Sequence, residues 1–241
     1  VAYFPEYRGF GQGYFDVRKP HFEEFLRENG KDALDLLRYS RWAQSALILV
    51  FAVLGFFLLQ TLMDYRMAFL SISLAMTAPF YLGHSRLLNH EGMLAVFVLI
   101  SLLGMHVYLE KGKSLPFLLI SGAAFGLAQL TKSTSVALIG LVGLMLLITL
   151  FKRDEKKMGA KILNALKTFG IWLASAALVY FILWPGMWVA PGKMLSGVYG
   201  NAFSYAFQGA RLDVTEELEP AAFDLVARSD GLLLYLKYWV S

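Results

Sequence analysis

Cysteine is absent from the 241 residues, which excludes disulfides and thiolate metal sites and leaves the redox compartment open. Charge is scarce as well. Only 17% of the residues are Asp, Glu, Lys or Arg, where a soluble domain carries about 25%, and those present gather outside the apolar runs. No internal repeat or low-complexity tract is evident, which argues against a transporter built from inverted repeats. The start at Val1 shows no charged stretch leading into an apolar core, so no secretory signal is read there. A piece of a longer protein is expected. What the chain has in abundance is apolar surface: 57% hydrophobic residues and a mean hydropathy of +0.54 exceed what a soluble core needs. A net charge of +4 and a pI near 9.2 would suit nucleic acid, but the basic residues collect in one loop between apolar spans. Nucleic acid is therefore excluded as a partner, and the lipid bilayer is the expected surroundings.

A helix needs roughly 20 mainly apolar residues to cross the hydrocarbon core. Six stretches come near that length: 42–63, 67–82, 92–109, 115–130, 135–151 and 169–184. The predicted fold is an all-α, polytopic transmembrane helical bundle of about six spans, with short ones read as tight hairpins or buried, incompletely spanning helices. Three regions follow: an external segment over 1–41, the bundle over 42–184, and an external loop over 185–241 with a further span beginning near Leu232. In the first, apolar residues recur at helical spacing among charges in Phe22-Glu23-Glu24-Phe25-Leu26-Arg27 and Ala33-Leu34-Asp35-Leu36-Leu37. They read as interfacial helices or a soluble cap. In the last, Glu216, Glu217 and Glu219 precede Pro220, and Phe203, Tyr205 and Phe207 stand at period two.

Lys152-Arg153-Asp154-Glu155-Lys156-Lys157, continued by Lys161 and Lys167, holds more Lys and Arg than any other short loop and is assigned to the cytoplasm. Alternation then puts the turns at Asp64-Tyr65-Arg66 and Glu110-Lys111-Gly112-Lys113 inside. The segment 1–41, the loop 84–91, the turn 131–134 and the segment 185–241 fall outside. Every chemically suggestive residue shares that outer face.

Glu91 stands at the outer mouth of the third span, where an acid is costly unless paired or useful. It is equally explained as a helix-start acid favoured by the dipole. His90-Glu91 invites a zinc-protease reading, but Leu94 occupies the place of the required second histidine. His84 and His90 are read as hydrogen-bonding scaffold beside a substrate rather than as metal ligands, so no metal site is assigned. Lys132 ends the fourth span in Leu130-Thr131-Lys132-Ser133. There a lysine either snorkels to the interface or meets an anion such as a phosphate headgroup. Arg86 adds a second cation beside the carboxylate, a combination suited to an anionic lipid bearing a reactive sugar. Trp184-Pro185-Gly186-Met187-Trp188 ends the sixth span. Its tryptophans are explained by an interfacial aromatic belt, with sugar stacking by Trp184 as the functional alternative.

The segments Gly83-His84-Ser85-Arg86-Leu87-Leu88-Asn89-His90-Glu91-Gly92-Met93-Leu94-Ala95, Gly122-Ala123-Ala124-Phe125-Gly126-Leu127-Ala128-Gln129-Leu130-Thr131-Lys132-Ser133 and Leu183-Trp184-Pro185-Gly186-Met187-Trp188 come in an informative order. Together they resemble the protein O-mannosyltransferase and aminoarabinose transferase superfamily of GT-C integral-membrane glycosyltransferases. The specific parts are the Ser-Arg pair followed by an acid at a helix start, and the Gly-Leu-Ala-x-Leu-Thr-Lys ending. Where the family usually has Asp, this chain has Glu91, which keeps the charge on a longer side chain. The family also carries an essential acid in its first external loop. The nearest carboxylates here, Asp16 and Glu6, match that position poorly, so this piece alone is expected to be inactive.

The resemblance implies transfer of a hexose or pentose from a polyprenyl-phosphate donor to a protein or lipid acceptor at the extracytoplasmic face, with a prokaryotic plasma membrane as the default location. It implies Glu91 as the catalytic carboxylate, assisting through acceptor positioning or a bound cation. Lys132, Arg86, His84, His90 and Trp184 are then substrate-binding. It fixes no cofactor and leaves a divalent cation open. The competing readings are a transporter or flippase, which would place its charges near mid-span, and a noncatalytic membrane scaffold.

Overall fold

A computed structural model of the chain describes residue 24 and residues 26–86, 89–151 and 158–208. Asp16, Glu6, the basic loop 152–157, the acids around Pro220 and the further span near Leu232 lie outside the described residues. The described residues are helical, with no strand among them. The helices are α1 (Ala33–Gln60), α2 (Tyr65–Thr77), α3 (Pro79–Arg86), α4 (Glu91–Glu110), α5 (Leu115–Thr131), α6 (Ala137–Phe151), α7 (Met158–Leu183), α8 (Gly186–Val189) and α9 (Pro191–Gln208). A 3₁₀ turn, Ser133–Val136, joins α5 to α6. The chain divides into two units, Val1–Val189 and Ala190–Ser241. The first carries α1 to α8 and the candidate site; of the second, α9 is described.

Local chemistry sets the helix boundaries. Asp32 caps α1 by accepting from the Leu34 amide, and Asp64 caps α2 by accepting from the amides of Arg66 and Met67. Both satisfy donors that a helix start leaves free. Ala78, held extended at φ −53° and ψ 128° by the following Pro79, separates α2 from α3 and bends the pair by 57°. The α4–α5 turn uses two left-handed residues, Gly112 at φ 80° and Lys113 at φ 61°. Helix α1 begins well before residue 42, so residues 33–41 are continuous with the first apolar span rather than a separate helix. Helix α7 likewise starts at Met158, ahead of the expected 169.

Four helices are long and apolar enough to cross a bilayer, namely Leu34–Gln60, Glu91–Glu110, Ser133–Phe151 and Met158–Leu183, and the bent α2–α3 pair makes a fifth if it acts as one span. The remaining predicted span, α5, is apolar but has only 17 residues, about 26 Å at 1.5 Å per residue. Like α4, it is deeply enclosed. Phe125 stacks on the fully buried Trp172 of α7 at 4.4 Å between ring centroids. Trp172 Nε1 donates to Ser121 Oγ at 3.0 Å, and Ser121 Oγ donates to the Ser101 carbonyl of α4 at 2.6 Å. This relay ties three helices together where hydrocarbon offers no water to replace it.

Small residues permit the close approach. A Cβ on Gly122 would come within 2.4 Å of the Trp172 carbonyl, and one on Gly126 within 2.6 Å of the Ala176 carbonyl. Gly122 and Gly126 therefore form a Gly-xxx-Gly face against α7. On the other side, Gly104 of α4 lies against Phe117 and Ser121 of α5. By contrast, α1, α2, α6 and α7 expose large apolar side chains, among them Leu49, Phe57, Phe69, Leu147 and Phe181. Such a surface is stable only against lipid or further apolar helices.

Candidate functional site

The site forms where α3, α4 and α5 end on one side of the bundle. Helices α4 and α5 are antiparallel, with Ser101 and Gly104 set against Ser121. Carried along both helices, that register puts the first residue of α4 opposite the residue that follows α5. Lys132 Nζ donates to Glu91 Oε1 at 2.5 Å, across 41 residues of sequence. Both side chains are more than a third exposed, so the pair is reachable from outside the bundle.

Each partner is held by its own backbone setting. Lys132 leaves the helix at φ −157° and ψ 129° while its amide still bonds the Ala128 carbonyl. The 3₁₀ turn follows at once, and Ser135 Oγ donates back to the Lys132 carbonyl at 2.8 Å. The lysine therefore projects from a defined corner. Glu91 opens α4, where the helix dipole favours its charge. Its amide donates to Asn89 Oδ1 at 3.1 Å, replacing the cap that His90 does not provide. Tyr81 donates its hydroxyl hydrogen to the Gly92 carbonyl at 3.2 Å, and a Cβ on Gly92 would meet Ser85 Oγ at 2.8 Å. Helix α3 thus sits directly on the first turn of α4.

The other predicted residues fall around this pair. His90 Nε2 lies 3.5 Å from Glu91 Oε1. His84 has its Nδ1 3.4 Å from Asn89 Nδ2 and its ring 4.5 Å from that of Phe80, an arrangement that ties α3 to the residue two before Glu91. Arg86 is the last residue of α3, and its side chain lies outside the described part of the structure. Trp184 packs edge-on against Tyr180 at 5.2 Å. Helix α7 runs parallel to α5, with Gly122 against Trp172 and Ser175, and Gly126 against Ala176 and Val179. Trp184 therefore lies at the same end of the bundle as Lys132, although no described contact joins it to the ion pair. Trp188 Nε1 donates to the Phe181 carbonyl at 2.7 Å, so this indole closes the end of α7.

Among the described residues, no group of three or more His, Asp or Glu side chains is arranged to hold a metal ion. The contacts of the Glu91 carboxylate to Lys132 and His90 both fall on Oε1.

The sequence reading overlooked Gln44. This residue of α1 is only 7% exposed, and its Nε2 donates to the carbonyls of Ser85 at 3.4 Å and Asn89 at 3.2 Å. Its signal was present: an amide within an apolar span is costly unless its hydrogens find acceptors.

A carboxylate held against an ammonium at the accessible end of a helical bundle suits a reaction that moves charge onto a phosphate, because the cation is already placed to receive it. Residues 37–188, from the first third of α1 to Trp188, match the family described as dolichyl-phosphate-mannose-protein mannosyltransferase. No curated protein and no solved structure matches the chain. The family match covers more than half of the sequence and contains the whole Glu91–Lys132 arrangement, and the chain belongs to the dolichyl-phosphate-mannose-protein mannosyltransferase family of membrane glycosyltransferases.

Proposed function

We propose that this end of the bundle transfers a monosaccharide from a polyprenyl-phosphate donor to a hydroxyl of a protein or lipid acceptor at the extracytoplasmic face. The observation that carries the reading is the Lys132–Glu91 pair, exposed at a helix end within the family-matched region. In the reaction, the bond between the anomeric carbon and the phosphate oxygen breaks and the bonding pair leaves with the polyprenyl phosphate. A bond forms from the acceptor oxygen to the anomeric carbon, and the hydroxyl proton passes to a carboxylate base. The leaving phosphate needs little protonation, so the barrier falls chiefly by stabilising its growing charge. Lys132, with Arg86 from the same face, supplies that stabilisation, worth about 3 kcal/mol for one well-placed donor.

Glu91 assists by holding the acceptor, while the base is the first-loop acid implied by family resemblance. His84 and His90 shape the loop beside the donor sugar, and Trp184 offers its ring for stacking. Orientation rests on the basic loop 152–157, which assigns the opposite end of the bundle to the cytoplasm. Placement of both charges at helix ends favours an interfacial active site over a conduit, whose charges would stand near mid-span.

The test uses the complete protein in membranes, following labelled sugar from a polyprenyl-phosphate pool in wild type, Glu91→Gln and Lys132→Ala. Loss of transfer in both variants at normal expression is the expected result. Wild-type membranes that transfer nothing from any donor tried would turn the assignment to a transporter or scaffold.

A further inference from the structure

We infer that Gln44 is a positioning residue for the transferase site, acting through the Ser85 and Asn89 carbonyls beside the start of α4. This rests on the transferase reading above. The side chain belongs to α1, remote in sequence from every residue assigned to the site, and its amide is nearly enclosed. Its nitrogen donates to the Ser85 and Asn89 carbonyls, so one amide group spans the two ends of the α3–α4 connection. Both carbonyls lie next to groups that hold Glu91. Ser85 is the residue against which Gly92 is packed, and Asn89 supplies the oxygen that accepts the Glu91 amide.

The arrangement has a physical logic. A helix-end carbonyl facing an apolar helix needs a donor, and a buried amide needs acceptors. Each satisfies the other only when Ser85 and Asn89 sit at one height along α1. Fixing that height fixes the start of α4 and hence the point at which the Glu91 carboxylate meets Lys132. Packing farther along α1 keeps the helix itself in place without Gln44: Phe51 meets Phe97 edge-on at 4.8 Å, and Gly55 lies close to Ile72 and Ile100. Loss of the amide should therefore loosen the start of α4 without unfolding the bundle.

The experiment is a double-mutant cycle in the complete protein, with transfer from a polyprenyl-phosphate donor as the readout. Gln44→Met keeps length and packing but removes both N–H donors. In the wild-type background it should lower kcat about tenfold, equivalent to about 1.4 kcal/mol in the barrier, with the KM for donor nearly unchanged. In the Glu91→Gln background the same change should lower the residual rate less than about twofold, because coupled residues are not additive. If Gln44→Met does not accumulate in the membrane, Gln44→Asn, whose amide is one methylene too short to reach both carbonyls, takes its place in the same cycle. Equal fold losses in both backgrounds, or no loss in either, would overturn the positioning role while leaving the transferase reading intact. A fully active Glu91→Gln protein would remove the assisting role of Glu91 and the role of Gln44 with it, leaving the transferase reading in place, whereas an inactive wild type would remove all three.

Discussion

The two ends of the α4–α5 hairpin carry the same residue types and use them differently. At one end, Glu110, Lys111 and Lys113 stand together in a tight turn with two left-handed residues, all exposed. At the other, Glu91 and Lys132 stand 41 residues apart in sequence and meet at 2.5 Å. Adjacent charges in a turn are what a hairpin needs to leave the bilayer, and their solvation explains them. Charges brought together only by helix packing demand a second explanation, because α4 and α5 could end there without them. The contrast teaches that in this chain distance in sequence, rather than residue type, separates a charge with a candidate role in chemistry from one that ends a span.

That contrast gives its own tests. The largest effect is expected at the converging end: Lys132→Ala should lower sugar transfer by about 100-fold, the scale of removing one preorganised electrostatic donor. Lys111→Ala at the turn should change transfer less than about twofold in the same membrane assay. Comparable losses at both ends would erase the distinction. A second test concerns the packing that sets the register. Gly122→Val places side-chain atoms where the Trp172 carbonyl already lies and should cost at least about 2 kcal/mol by overpacking, read as a lower melting temperature in detergent. Gly143→Ala on α6, where a Cβ meets nothing within 4 Å, should leave that temperature unchanged or slightly raised.

A smaller loss is expected from Trp172→Phe, which keeps the stacked ring but removes the donor to Ser121. About 1 kcal/mol of stability should go with that hydrogen bond. The smallest effect belongs to the turn itself: Gly112→Ala puts a Cβ on a residue at φ 80°, a strain of about 1 kcal/mol that the lower entropy of the unfolded chain offsets in part. It should lower the melting temperature by a degree or two and leave transfer intact.

Much of the bundle was legible in the sequence because the bilayer imposes simple demands. Every backbone polar group in hydrocarbon must be satisfied within its own segment, so long apolar runs become helices, and the charged turns at Asp64 and Gly112 mark their ends, whereas the break at Pro79 falls inside the single span read over 67–82. The start of α1 was harder to place, since residues 33–41 carry charges that end an apolar count without ending a helix. Helix α5 was legible as an apolar helix but not as an enclosed one. Its Gly122, Gly126 and Ser121 have meaning only against α7 and α4. Glu91 and Lys132 were readable as candidates because each is an expensive residue at a helix end, His84 and His90 because they stand beside that acid, and Trp184 because its ring could stack on a sugar. Gln44 was overlooked because a single amide near the start of a span carries no motif.

The sequence by itself determined that this chain is a helical membrane protein and where most of its helices run, and it marked the charged residues at the span ends as candidates. These follow from local composition and from the fixed cost of polar groups in hydrocarbon. Only the tertiary structure decided that Glu91 and Lys132 form one pair, that Gln44 donates to the Ser85 and Asn89 carbonyls, and that α5 is enclosed. Those outcomes depend on the register in which helices pack. Register is fixed by small residues and buried hydrogen bonds acting across dozens of residues, interactions that no single segment contains.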